Sequence, residues 1–187
     1  MALTYGTDEW EQAYQELVKE RQAASPPPYI MGTPEWVDQY EKAVQGDATY
    51  KEAAKDWEGS VVIKVLAKPD VGLDRDLYIF MDLWHGDCRS MRIVPPEAGE
   101  AGDFVITGEY ERWKSVIKKE LDTVKGMMQG KLKLKGDLPT IVRAVKAATR
   151  LVELSAATDP RFPDELSADE VAGLRDLLKM AEEKFGI

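Results

Sequence analysis

The chain holds one cysteine, Cys88, and one histidine, His85. A single cysteine cannot close an internal disulfide, which predicts a reducing, cytoplasmic setting. The histidine stands in WHGDC, with Asp82 and Asp87 close by in sequence. A zinc site needs three or four matched ligands, and no second histidine or cysteine exists to supply them. A Ser-His-Asp triad would have to place its only base in a hairpin turn. No metal site and no catalytic residue are therefore expected, and His85 reads as a solvated turn residue beside a small buried thiol. No run approaches the ~18 apolar residues that a membrane crossing needs. The opening MALTYGTDEWEQAY is acidic and lacks the basic region and apolar run of a signal peptide. Neither the GxGxxG pattern nor a P-loop occurs, so no nucleotide cofactor is expected. No repeat of 20–50 residues is visible. The sequence gives no positive argument for an enzyme.

What is present bounds the rest. The 187 residues are 44% hydrophobic and 32% charged, long enough to bury a core and too apolar for disorder. The net charge of −9 argues against nucleic acid as a partner. That charge is unevenly spread. Residues 1–59 carry 12 acids and 5 bases, and 151–187 carry 9 and 4, whereas 109–150 carry 5 acids and 11 bases. One basic segment interrupts an acidic chain.

The first third has helical period. Trp10, Tyr14, Leu17 and Val18 share a face after the caps Thr7 and Asp8. SPPPY (25–29) is a rigid linker. Thr33-Pro34 opens a second helix, with Trp36, Val37, Tyr40 and Val44 as its stripe. A short helix follows Asp47, carrying Tyr50, Ala53, Ala54 and Trp57. These aromatics either pack on a sheet or form a cage for a ligand. Period two then takes over: 61–67, 77–84, 88–94 and 103–107 predict strands, with a tight turn at His85-Gly86-Asp87 and a loop over 95–102. From Glu109 a helix carries Tyr110, Trp113, Val116, Ile117 and Leu121. KLKLK (131–135) is a strand with leucines inward and lysines outward. Asp137 caps a long helix with Leu138, Ile141, Val142, Val145, Ala148 and Val152 on its buried face. Ser167 and Glu170 form a capping box for a last helix, 168–185, striped by Val171, Leu174, Leu177, Leu178, Ala181 and Phe185. That helix is either fixed core or a lid.

The run DFVITGEYERWKSVIKKELDTVKGMMQGKLKLKGDL (103–138) resembles the sterol carrier protein type-two lipid-carrier domain. The resemblance rests on Trp113, Met127, Met128, Gly130, Lys131, Leu132, Lys133, Leu134, Gly136 and Asp137 in order and spacing. It implies an α+β, sterol-carrier-like fold: about five strands, helices on one face and an apolar tunnel between them. It also implies a non-enzymatic carrier of fatty acyl chains, acyl-CoA or sterol-like ligands. The alternative is an accessory module that docks to a partner enzyme or presents an acyl substrate to it. Under this reading residues 1–32 are a helical extension with a proline-rich linker, and 33–187 are the lipid-binding domain. The expected lining is Trp113, Val116, Ile117, Met127, Met128, Leu132, Leu134, Ile141 and Val145. The methionines suit an adaptable wall or simple core filling. The lysines blunt a sheet edge or form a basic rim for an acidic head group. The expected partners are a lipid or acyl-CoA ligand, with transient contact to a membrane surface or a partner enzyme.

Overall fold

Alternating β-branched and aromatic residues build five strands: β1 (Glu58–Val65), β2 (Leu77–Trp84), β3 (Asp87–Ile93), β4 (Phe104–Gly108) and β5 (Lys133–Lys135). The computed structural model, which describes residues 1–187, orders them β3-β2-β1-β4-β5. The β1–β4 pair is parallel and the other pairs are antiparallel. His85 (φ 49°) and Gly86 (φ 85°) make the left-handed turn between β2 and β3. A Cβ at Gly86 would stand 2.4 Å from the carbonyl oxygen of Lys51, so only glycine fits there.

Period two divides the sheet into two faces. Val61, Ile63, Ile79, Met81, Leu83, Phe104 and Ile106 face the main helical layer and its core. Val62, Tyr78, Val94 and Val105 form a smaller cluster on the other face. Residues 95–102, expected as a loop, contain a short helix, α4 (Pro96–Glu100), which covers that second face. Lys64 Nζ and the Tyr78 hydroxyl both donate to Glu100 Oε1 at 2.7 Å, which ties α4 to the sheet.

The remaining helices are α1 (Asp8–Ala24), α2 (Pro34–Gln45), α3 (Ala48–Ala53), α5 (Tyr110–Ile117), α6 (Thr123–Met128), α7 (Leu138–Arg143), α8 (Val145–Ala157) and α9 (Ala168–Phe185). Thr7, Thr33, Asp47, Asp137 and Ser167 accept N–H bonds at their N-caps as expected, and Ser167 with Glu170 completes the capping box. Two expectations change. The methionine turn is a helical turn in its own right, α6. The long helix after Asp137 is two helices, broken at Ala144 (φ −103°, ψ 24°). The break rotates the apolar stripe, so Val142 and Val145, expected inside, lie 43% and 41% exposed.

The segments flanking the sheet meet each other. Trp10, Tyr14, Leu17 and Val18 of α1 cluster with Leu177, Ala181 and Phe185 of α9. The rings of Trp10 and Tyr14 stack at 4.9 Å, and the Trp10 indole donates to the Phe185 carbonyl at 3.1 Å. The β3 edge is capped by side chains, and the β5 edge is short and carries lysines, which disfavours further pairing. At β3, Glu41 accepts from Met91 N–H at 2.7 Å, the Tyr14 hydroxyl accepts from Ile93 N–H at 3.1 Å, and Gln45 donates to the Cys88 carbonyl at 3.0 Å. At β5 the lysines stand exposed.

Candidate functional site

Between the sheet and helices α2, α5, α6, α7 and α8 lies a cavity of about 120 Å³. The sheet supplies Val61, Ile63, Ile79, Met81, Leu83 and Ile106 as its floor. Trp36, Tyr40, Tyr50 and Trp57 wall one end, with Met31. Trp113, Val116, Ile117 and Met127 wall the other side, and Ile141, Ala144, Ala147, Ala148, Leu151 and Val152 roof it. Thr123 and Ser155 are its only polar side chains.

The aromatic residues could have brought polarity inside, and hydrogen bonds to other protein groups engage the polar atoms of four of the five. The indole N–H of Trp36 donates to Thr158 Oγ1 at 2.9 Å, that of Trp57 to the Gly59 carbonyl at 2.9 Å, and that of Trp113 to the Lys64 carbonyl at 3.0 Å. The Tyr40 hydroxyl donates to the Leu151 carbonyl at 2.7 Å, and burial raises the pKa of both Tyr40 and Tyr50. Ser155 Oγ donates to the Val152 carbonyl at 2.7 Å. Each of these bonds ends on protein, so the space between them stays apolar. An apolar cavity of this order stays dry and admits apolar guests. An apolar cavity of ~150 Å³ takes one benzene, so this volume as it stands holds on the order of five methylene-sized groups.

Of the residues expected to line a tunnel, Trp113, Val116, Ile117, Met127 and Ile141 face this cavity. Met128 does not: consecutive helical residues are ~100° apart, so with Met127 turned inward Met128 stands 69% exposed. Val145 points outward for the same reason, and Ala144, Ala147 and Ala148 take the inner positions. Leu132 is buried but packs beside Gly108 and Gly126; a Cβ at Gly108 would lie 2.6 Å from its Cδ2. Leu134 pairs with Ile106 across the β4–β5 edge and lies partly buried there, outside the lining. The alternation then sends Lys133 and Lys135 to the opposite face of the sheet, where Lys135 Nζ donates to the Glu100 carbonyl at 2.5 Å.

Ala144, Ala147, the strand residues and Thr123 were missed from sequence; Ala148 and Val152 were expected on the buried face of their helix but not in the lining. The strand residues could have been found as the alternate positions of β1, β2 and β4. The aromatics of the first third separate: Trp36, Tyr40, Tyr50 and Trp57 line the cavity, while Trp10 and Tyr14 belong to the α1–α9 cluster. No residue of α9 lines the cavity; its Leu174 joins the main core and its last turns pack on α1.

The WHGDC segment contributes no residue to this lining. His85 is half exposed and its Nε2 sits 2.6 Å from Glu58 Oε1. Burial, with Glu41 and Asp82 nearby, pushes the Cys88 thiol up to about 12, far from a reactive thiolate. No helix is long and apolar enough to cross a membrane.

Comparison with known proteins agrees with this geometry. The model of the SCP-2 sterol transfer family matches residues 37–148, more than half of the chain. A crystal structure of sterol carrier protein 2 is 32% identical, with a TM-score of 0.62, over 67% of this chain and 97% of the other. The solution structure of a conserved hypothetical protein from Thermus thermophilus, described as possibly a sterol carrier protein, is 31% identical, with a TM-score of 0.63, over 70% and 91%. Among curated proteins none matches. The five-stranded mixed sheet, the helices over its apolar face and the matched sequence lead to one assignment: the chain belongs to the SCP-2 sterol transfer family.

Proposed function

We infer that the protein is a non-enzymatic carrier that holds single acyl chains, free or as acyl-CoA, or sterol-like ligands in the cavity under α8. The observation that carries this reading is the lining itself, almost wholly apolar, with the polar atoms of Trp36, Tyr40, Trp57 and Trp113 engaged by other protein groups. Burying a methylene is worth about 0.8 kcal/mol, so the roughly five that the cavity takes gain about 4 kcal/mol, and each further one that the wall yields to adds the same, against association costs of several kcal/mol. Met31, Met81 and Met127 give the wall unbranched, flexible side chains that adapt to longer chains. Residues 1–32 act in this reading as a clamp on the carrier domain, 33–187, and the protein works in the cytoplasm.

Displacement of a fluorescent fatty acid tests it. Affinity should rise roughly fourfold per methylene until the chain outgrows the cavity and then level off. If no fatty acid, acyl-CoA or sterol displaces the probe at micromolar concentration, the carrier reading fails, and an accessory role beside a partner enzyme takes its place.

The same reading gives the exposed side of the roof a task. Lys125, Met128, Val142, Arg143, Val145 and Lys146 are all exposed, and their neighbours Met127, Ile141, Ala144 and Ala147 line the cavity from within. Residues 123–150 hold seven bases and one acid in a chain of net charge −9. Exposed apolar groups among cations fit an anionic bilayer, where each cation near the surface contributes about 1 kcal/mol. Vesicles of phosphatidylcholine containing phosphatidylglycerol should sediment the protein, and pure phosphatidylcholine should not. Lys125→Glu with Lys146→Glu should weaken that binding at least tenfold. Equal binding to both vesicle types would leave these cations a purely solubilising role.

A further inference from the structure

We propose that Thr123 and Lys119 form the polar end of the ligand site and select a carboxylate, which orients a fatty acid with its tail over the sheet and its head between α6 and α8. This rests on the carrier reading above. Of the two polar side chains in the lining, Ser155 is satisfied by a backbone carbonyl, whereas Thr123 Oγ1 is buried and has no hydrogen-bond partner. A buried hydroxyl left unpaired is unfavourable, and few native side chains tolerate it without a reason.

The position of Thr123 supplies the reason. A second cleft, of about 170 Å³, begins where the cavity ends, and the two share Thr123, Ala148 and Val152. Ala148 and Val152 are one turn apart on α8 and make the sill between them. Beyond the sill the walls become polar: Lys119, Asp122, Thr149 and Glu153. The acids there are engaged, because Asp122 Oδ1 accepts from Lys125 N–H at 2.9 Å and Glu153 pairs with Arg150 at 2.9 Å. Lys119 is exposed and forms no ion pair, whereas the adjacent Lys118 is held near Glu165 at 3.6 Å. An amphiphile lying along the cavity would place its polar end at this junction. Thr123 then donates its hydroxyl hydrogen to a carboxylate oxygen, and Lys119 supplies the counter-charge from the solvent side.

The experiment compares two probes on the full chain. N-phenyl-1-naphthylamine, a neutral fluorescent hydrophobe, reports the cavity alone, and dodecanoic acid reports cavity plus head-group site. Thr123→Val keeps the shape and removes the hydroxyl. It should weaken dodecanoate about tenfold, as expected for one hydrogen bond to a charged acceptor, and leave the neutral probe within twofold. Thr123→Ser keeps a hydroxyl and should retain dodecanoate binding within threefold. Lys119→Gln should weaken dodecanoate a few-fold, remove its salt dependence and leave dodecan-1-ol unaffected. The valine variant should melt no lower than the parent, because it deletes an unpaired donor. Unchanged dodecanoate binding in Thr123→Val, with the neutral probe still bound, would overturn the proposal and spare the carrier reading. Failure of the parent to bind the neutral probe would take down both.

Discussion

Ala147→Trp should abolish ligand uptake in a protein that still folds. Ala147 is 5% exposed, lies on α8 and contributes its methyl group to the roof of the cavity. Tryptophan there would project its indole into a space of about 120 Å³ that no other side chain occupies. Overfilling a well-packed core costs about 1–3 kcal/mol, and an existing cavity absorbs part of that. Binding loses more, because a filled cavity removes most of the roughly 4 kcal/mol that the enclosed methylenes gain. Affinity for a medium-chain fatty acid should therefore fall at least a hundredfold, while far-ultraviolet circular dichroism stays at the parent level. Val145→Trp is the matched control: two residues away on the same helix but 41% exposed, it should bind as the parent does. Met128→Trp should be equally silent, since Met128 lies outside the wall. Undiminished binding in a folded Ala147→Trp protein would place the ligand somewhere other than under α8.

That control marks where sequence reasoning reached its limit. The fold was legible because its signals are local: alternation for the strands, Thr33-Pro34 and Ser167 with Glu170 for helix starts, and the His85-Gly86 turn. Trp113, Val116, Ile117 and Ile141 were legible as cavity-facing residues because a helical stripe must face something apolar. The break at Ala144 was not. No glycine or proline follows Pro139 before Val152, so LPTIVRAVKAATRLV reads as one continuous stripe. Ala144 and Ala147 carry too little hydropathy to announce that they, and not Val142 and Val145, face inward. Leu132 was misplaced because its seat depends on the missing side chains of Gly108 and Gly126, which are distant from each other in sequence and adjacent only in space. Thr123 could not be found at all, since an unpaired hydroxyl is a property of its surroundings.

Arg92→Ala should be among the most destabilising single changes in the protein, because Arg92 joins both helices that cover the edge strand. Its side chain is 15% exposed. It pairs with Glu11 of α1 at 2.6 Å and Glu41 of α2 at 2.5 Å, and donates to its neighbour's carbonyl, Met91, at 2.7 Å. Glu41 is itself 9% exposed and also accepts the Met91 N–H. Removing the guanidinium leaves that carboxylate buried without a cation, a loss of about 3–5 kcal/mol in comparable cases. Urea unfolding should register it as a lower midpoint with an unchanged slope. Adding Glu41→Gln to Arg92→Met should recover part of the loss, since a neutral amide still accepts the Met91 N–H and needs no counter-ion. No recovery would mean that lost packing, and not the stranded charge, sets the cost. A pH series gives an independent check. Burial pushes the Glu11 pKa upward, but the hydrogen bond and charge of Arg92, with a bond from Gln15, outweigh it and hold it below the ordinary value. A carboxylate with a lowered folded-state pKa adds stability above its unfolded pKa of about 4.3, and that stability is lost as pH falls through the folded value. The parent should therefore lose this increment in acid, whereas Arg92→Ala, with nothing left to hold Glu11 down, should have a shallower acid limb. Parallel acid limbs in the two proteins would mean that Glu11 and Arg92 are not coupled in the folded state.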